Sequence, residues 1–424
     1  MAELHTSSYY AATLNDQVSH PSLEGDITAD ICVIGGGFTG VSTALDLAER
    51  GYDVVLLEAN KIGWGASGRN GGQVGYAING EGNLINQHGK SAEKMVTDLR
   101  FRGHEIIKSR VEKYKINCDL THGNMAAANK DRHFDELKEE YDYMAELGYE
   151  DHFELVEKEN MRDYIGSDTY KGGLYNNLDF HIHPLNLCLG EARAAASLGV
   201  RIFEGNSVDE IIHGTKPVVV TKNGRVTANK VVIGGNAYHI LERKKMGGVL
   251  FPAGTYVLGT EPLSEELKNE ILVKNQSVFD MNMFLAYYRF SADNRLLYGG
   301  ECNYSGKDPV SIKATMLPPM HEAFPQLKDV KIDYEWGGMT GITIKRMPHV
   351  GSINGNVIYS EGYCGHGINS SHILSEILAD AVTGQMERFD VFEKTKHFRI
   401  PVPRWAGNYM LALGMLYYRI KDIF

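Results

Sequence analysis

Ala29-Asp30-Ile31-Cys32-Val33-Ile34-Gly35-Gly36-Gly37-Phe38-Thr39-Gly40 is the stretch on which the fold turns. Its first half is a short apolar, β-branched run, the pattern of a strand buried on both faces. Its second half is a glycine turn. Val41, Ala44, Leu45 and Ala48 then recur at helical spacing until Gly51, which stops the helix. A second apolar run, Asp53 to Leu57, ends on Glu58. Strand, glycine turn, helix, strand and acid in this register form a dinucleotide-binding βαβ unit. Gly35 permits the tight turn, Gly37 lets the backbone approach a pyrophosphate, and Gly40 lets helix and strand pack closely. The helix start offers free N–H groups and a positive dipole end to phosphate, and Glu58 stands where an acid bonds ribose hydroxyls. This unit suits NAD and FAD equally.

The next segment, Gly63-Trp64-Gly65-Ala66-Ser67-Gly68-Arg69-Asn70-Gly71-Gly72-Gln73, tips the choice towards FAD. A run of small residues carrying one arginine suits close approach to a ligand better than mere linking as a surface loop. Ser67, Arg69, Asn70 and Gln73 offer hydrogen bonds along a pyrophosphate and up to a flavin ring. A second pointer is Gly365-His366-Gly367, ahead of an amphipathic helix with Ile373, Leu374, Ile377, Leu378, Ala381 and Val382. Reduced flavin is negative around its N1–O2 edge, and a helix start with bare backbone donors stabilises that charge without reorganising. His366 either adds positive charge there or simply packs.

Elsewhere, Tyr170 to Phe180, Ser207 to Val220 and Lys230 to Gly235 read as strands. Glu93 to Tyr114, Asp131 to Leu147 and Pro184 to Ser197 read as helices, and Tyr256 to Thr260 and Phe284 to Gly300 as antiparallel strands. The expected fold class is α/β: a Rossmann-type cofactor domain with an inserted α+β domain of mixed sheet. The intervals are an N-terminal arm at 1–27, a discontinuous cofactor domain at 28–92, 150–240 and 335–400, an inserted domain at 93–149 and 241–334, and a C-terminal helix at 401–424. A chain of 424 residues carries two domains comfortably.

A net charge of −11 argues against nucleic acid as a partner. Cys32, Cys118, Cys188, Cys302 and Cys364 are odd in number, widely spaced and without zinc spacing, which suits a reducing cytoplasm with free thiols and no metal site. The first thirty residues lack the apolar core of a signal peptide. Trp405 to Tyr418 is uncharged but shorter than the ~20 residues a bilayer requires. It is expected to be a terminal helix docked on the body rather than one lying on a membrane.

Several blocks together resemble the gamma-glutamylputrescine oxidase family, within the D-amino-acid oxidase/sarcosine oxidase class. They are Ser7-Ser8-Tyr9-Tyr10, Gly65 to Gln73, His183-Pro184-Leu185-Asn186-Leu187, Gly235-Asn236-Ala237-Tyr238, Tyr288-Arg289 with Asp293 to Gly300, and Gly362-Tyr363 with Gly365-His366-Gly367. The resemblance implies a glutathione-reductase-like FAD domain and oxidation of a terminal amine to aldehyde, ammonia and hydrogen peroxide, with O2 as acceptor. It places Phe38, Ala66, Gly71, Gly72, Val208, Asn236 and Ile368 beside the cofactor. Relatives that bind flavin covalently do so through histidine or cysteine. Neither a histidine in Gly63 to Gln73 nor a cysteine in Tyr334 to Gly351 is available, so the FAD is expected to be non-covalent.

An amine gives up hydride only from its neutral form, so the pocket should have aromatic walls rather than a carboxylate partner. Tyr287, Tyr288, Trp336 and Tyr363 are the candidates, with Tyr288 and Trp336 preferred. Each is equally a candidate for the core. Lys345 is the best-placed lysine for oxygen activation, or else a solvated surface residue. Arg289 would meet the distal carboxylate of a gamma-glutamylated substrate, or else pair with Asp293. The competing function is a dehydrogenase passing electrons to a membrane quinone; a non-catalytic flavin-binding scaffold comes third.

Overall fold

A computed structural model describes residues 3–282, 285–304, 309–402, 406–410 and 412. Two sheets organise them. In the first, the strand Gly25–Ile34 lies parallel to Gly224–Ile233 on one side and to Val54–Leu57 on the other. Arg201–Phe203 extends the sheet beyond Val54–Leu57, and Val357–Glu361 extends it beyond Gly224–Ile233, both in parallel. His349–Ile353 closes that edge as an antiparallel hairpin, while Val208–Ile212 and Val218–Thr221 form a meander on Gly224–Ile233.

Alternation along the strands sorts the two faces. Ile31, Val33, Val54 and Leu56 face helices Phe38–Glu49, Pro184–Ser197 and Gly367–Val382. Cys32, Ile34, Val55 and Leu57 face Ile211, Val219, Leu241 and Met246. Both faces are covered, which is why these strands read as continuous apolar runs; each buried aliphatic side chain contributes roughly 1.5–3 kcal/mol.

The second sheet is mixed. Its order is Ile332–Thr343, Leu250–Thr260, Leu296–Asn303, Tyr287–Phe290, Ser277–Asp280, Thr121–Ala128, Gly172–His181, Gln73–Val74, with Phe153–Glu157 also paired to Gly172–His181. Only Ser277–Asp280 and Thr121–Ala128 run parallel; the remaining pairs are antiparallel. Helix Ile312–Ala323 packs on one face, where Tyr288, Tyr298, Tyr256 and Phe324 are buried together.

Sheet membership cuts the chain at places other than the sequence intervals. Strands Phe153–Glu157 and Gly172–His181 and the part of Ile332–Thr343 from Glu335 onward belong to the second sheet, although they fall in intervals read as cofactor domain. Helix Arg102–Lys113, read as inserted domain, lies against the first: Arg110 pairs with Asp46 and Glu191. Period and β-branching identify a strand but do not say which sheet it joins. The expected helix at 93–114 is two helices, Lys90–Leu99 and Arg102–Lys113. Of the C-terminal helix, residues 406–410 are helical and dock on the body: Asn408 Nδ2 meets Pro252 O, and a Cβ on Gly407 would lie 2.2 Å from Phe251. The rest of that segment lies outside the described residues. No described helix is long and apolar enough to cross a membrane.

Candidate active site

Parallel strands in one sheet end on one edge, and here that edge collects the motifs. Ile34 is in register with both Leu57 and Ile233, and Ile233 with Tyr359. Gly35, Glu58, Gly234-Gly235 and Gly362 therefore meet at the carboxyl ends of four strands, where open α/β sheets bind ligands. Gly35 adopts φ 108°, a conformation that disfavours a side chain, and its N–H bonds Leu57 O at 2.8 Å. A Cβ on Gly40 would sit 1.8 Å from Gly35 O, so helix and turn are in backbone contact. A Cβ on Gly37 would instead meet only the Ser67 hydroxymethyl within 4 Å. This is an opening at the start of the 12-residue helix Phe38–Glu49.

The Glu58 carboxylate accepts from Gly36 N at 2.6 Å and Asn60 N at 2.8 Å. Burial raises its pKa, and these donors oppose the shift. Glu58 O receives Asn206 N, two residues before Val208 opens its strand. Val208 thus follows closely on a residue bonded to the acid.

The segment from Gly63 to Gln73 crosses from the first sheet to the second. Ser67 Oγ accepts Phe38 N at 2.9 Å, placing its hydroxyl over the helix start. Asn70 turns back on its own loop, donating to Ala66 O and Ser67 O and accepting Gly72 N. Gln73 Nε2 donates to Val278 O and Tyr288 O, fixing the loop to the second sheet. Arg69 lies 4.3 Å over the Trp64 ring and donates to Trp64 O. Much of the segment's hydrogen bonding is internal, so it holds a shape rather than waiting to acquire one.

Gly365 and His366 are exposed, and Gly367 is half-buried at the start of the 16-residue helix Gly367–Val382. Nothing lies within 4 Å of a Cβ on Gly365, and only Tyr363 Cβ, at 3.9 Å, faces one on Gly367. Ile368 is buried behind them. Protein packed around the His366 ring lowers its pKa by desolvation, with Asp179 opposing. Asn369 escaped the sequence reading. Its side chain donates to Ala77 O and accepts from His104, whose other ring nitrogen faces Asp179 at 2.9 Å. An asparagine in the first turn after the Gly-His-Gly motif was the available signal.

A family model described as FAD dependent oxidoreductase matches residues 30–381. The chain belongs to the FAD dependent oxidoreductase family. Two open helix starts, a half-buried acid at a strand end and a pre-shaped small-residue loop fit the cofactor of this family. As an FAD dependent oxidoreductase it is 41% identical to "Gamma-glutamylputrescine oxidoreductase" of Escherichia coli, over 99% of this chain and 98% of that protein. It is 38% identical to "Probable oxidoreductase OrdL" of Haemophilus influenzae, over 99% and 97%. In fold it resembles glycine oxidase from Geobacillus kaustophilus, with a TM-score of 0.72, 20% identity and coverage of 88% and 99%. The L-proline dehydrogenase from P. horikoshii gives 0.71, 20%, 92% and 99%. The resemblance read from the sequence blocks is thereby borne out.

Several residues read as active-site walls of this FAD dependent oxidoreductase serve elsewhere. Tyr288 is fully buried on the far face of the second sheet, bonded to Tyr170 and stacked on Tyr298. Its neighbour Tyr287 points the opposite way, against Gly71, and is half-open. Trp336 is 2% exposed and donates from Nε1 to Arg69 O, so it backs the Gly63-to-Gln73 loop. Tyr363 is buried between elements, its hydroxyl on Thr39 Oγ1 at 2.6 Å and Ser360 Oγ at 3.0 Å. Asn236 spends its Oδ1 on Gly362 N and holds the strand ends together. Arg289 is buried, donating to Gly71 O, Ile182 O, Phe290 O and Tyr10 Oη; Asp293 pairs with Arg295 instead. Arg289 is thus bonded to main-chain carbonyls and Tyr10 and not to Asp293.

Lys345 lies in the turn after Ile332–Thr343, where Asn83 holds its carbonyl; burial first, then the charges of His349 and Lys345, push His397 down to about 4. We expect Lys345→Met to leave the rate of flavin reoxidation within about twofold of wild type. A stopped-flow trace of the reduced variant mixed with oxygen checks this, and a tenfold slower phase would return Lys345 to the oxygen chemistry.

Proposed function

We propose that the enzyme oxidises a terminal primary amine, with gamma-glutamylputrescine or a related polyamine as substrate and O2 as acceptor. The balanced reaction takes amine, O2 and water to aldehyde, ammonia and hydrogen peroxide. The observation that carries this reading is 41% identity, over nearly all of both chains, to a protein named for gamma-glutamylputrescine. The bound FAD would supply the hydride acceptor. The chain's own part is to hold it: Ser67 and the start of Phe38–Glu49 at the pyrophosphate, Glu58 at the ribose, and Gly365 to Gly367 at the ring's N1–O2 edge. Tyr287 is the favoured aromatic wall, being the half-open aromatic against the cofactor loop. Such a wall lowers a bound amine's pKa by desolvation and keeps the lone pair free. The FAD is held without a covalent bond, and a cytoplasmic setting suits the five free cysteines.

The test is an anaerobic screen of free and gamma-glutamylated polyamines for flavin bleaching, followed by admission of air and a peroxide assay. The expected result is bleaching by a gamma-glutamylated amine and about one peroxide per amine oxidised. Bleaching that air does not reverse would favour the quinone-linked dehydrogenase. Bleaching only by amino acids would overturn the amine assignment.

A further inference from the structure

Arg289 presents a physical oddity. Its side chain is 3% exposed, yet no carboxylate lies within salt-bridge distance among the described residues. Nε donates to Gly71 O at 2.8 Å, Nη1 to Phe290 O at 3.0 Å, and Nη2 to Ile182 O at 2.6 Å and to the Tyr10 hydroxyl at 3.1 Å. Arginine is almost never fully buried unless paired, because carbonyl dipoles replace only part of the hydration that its charge loses. A neutral amide would satisfy two of these carbonyls without burying charge. The nearby ionisable groups feel that charge: burial first, and Arg289 second, push both His181 and His183 down to about 3. Half-buried Asp119 is the carboxylate that senses it.

The guanidinium lies directly beneath the cofactor loop. A Cβ on Gly72 would meet Nη2 at 2.6 Å, and one on Gly71 would meet the Tyr287 ring at 2.5 Å. The Gly71-Gly72 backbone thus passes against two side chains that leave the same face of strand Tyr287–Phe290: a cation and the tyrosine proposed as the substrate wall. Only glycine passes so close to them.

We propose that Arg289 is an electrostatic positioning residue: a fixed buried cation, held under Gly71-Gly72, that favours negative charge on the reduced flavin. The inference rests on the reading that the Gly63-to-Gln73 segment runs along the flavin, but not on which amine is oxidised. Arginine suits the task because it stays charged at any working pH and its fork fixes its position.

Sulfite is the probe. It adds to oxidised flavin as a nucleophile and leaves its negative charge on the ring, so its affinity reports positive potential there without any amine. Arg289→Lys keeps the charge and loses the fork; Arg289→Gln loses the charge. For Arg289→Lys we expect sulfite affinity within about threefold of wild type, with FAD dissociating roughly tenfold more readily. For Arg289→Gln we expect sulfite affinity to fall at least about tenfold. Tyr10→Phe, which removes one hydrogen bond and no charge, should bind sulfite as wild type does. Should the glutamine variant not fold, the lysine variant decides against Tyr10→Phe. Sulfite affinity lost in the lysine variant together with FAD retention overturns the proposal, as does a wild-type protein that binds no sulfite. Flavin that binds sulfite normally but is bleached by no amine would remove the substrate reading and leave this one standing.

Discussion

Replacing Gly37 by valine is expected to strip the protein of FAD while leaving it folded. The flavin-to-protein absorbance ratio after gel filtration should fall to background, with FAD affinity down by at least about 1,000-fold, or roughly 4 kcal/mol. The backbone at Gly37 is extended, with φ −87° and ψ −177°, so it accepts a side chain without strain. Within 4 Å a Cβ would meet only Ser67 Oγ, at 2.8 Å, and Ser67 Cβ, at 3.8 Å. A serine hydroxyl can rotate away, at the loss of its bond from Phe38 N. The valine methyls would then fill the opening at the helix start that a pyrophosphate needs. Gly40→Ala is the contrasting control. Its Cβ would collide with Gly35 O at 1.8 Å, an atom of the backbone, so fold and cofactor should be lost together. The circular dichroism melt separates the two cases, and a yellow, active Gly37→Val protein would refute the cradle.

The same two glycines show why the cofactor half was legible. Gly35, Gly37 and Gly40 are spaced by local chain geometry, and each conveys its requirement through its nearest neighbours. Glu58 follows the second strand for the same local reason. The open start of Gly367–Val382 was readable because three consecutive residues carry it. The substrate side was not readable in this way. Tyr287 and Tyr288 are adjacent and equally aromatic, and what separates them is the phase of one four-residue strand, Tyr287–Phe290. A slip of one residue would exchange their roles, and neither flanking sequence fixes that phase. Arg289 looked like a substrate ligand because charge in a family-like block suggests chemistry. Its partners Gly71, Ile182 and Tyr10 are 107 to 279 residues away in the chain, so nothing local reveals that it is sequestered.

Glu191→Gln should cost about 3 kcal/mol of stability at neutral pH, with the cost shrinking in acid. Glu191 is 0% exposed and accepts from Arg110 Nη1 at 2.9 Å and from His372 Nε2 at 3.1 Å. Burial alone would raise its pKa, but His372 and Arg110 overcome that and bring it down to about 2 from an ordinary 4.5. A folded-state pKa below the unfolded one means the carboxylate stabilises the protein above pH 4.5, and that contribution fades as pH falls through about 2. The shift corresponds to roughly 3 kcal/mol, and breaking a buried pair while leaving its cation behind costs roughly 3–5 kcal/mol. Arg110 keeps Asp46 at 2.7 Å, which favours the lower figure. Urea unfolding should therefore show a gap between wild type and variant that shrinks by more than half from pH 7 to about pH 3; a pH-independent gap would assign the loss to packing. Glu191 lies in Pro184–Ser197, Arg110 in Arg102–Lys113 and His372 in Gly367–Val382, and Arg110 also grips Ser42 Oγ in Phe38–Glu49. One buried ionic cluster thus ties together the two helices whose starts are proposed to hold the pyrophosphate and the ring edge of the cofactor. Because both starts must be correctly placed at once, the same substitution should weaken FAD binding although no atom of Glu191 lies at the open edge.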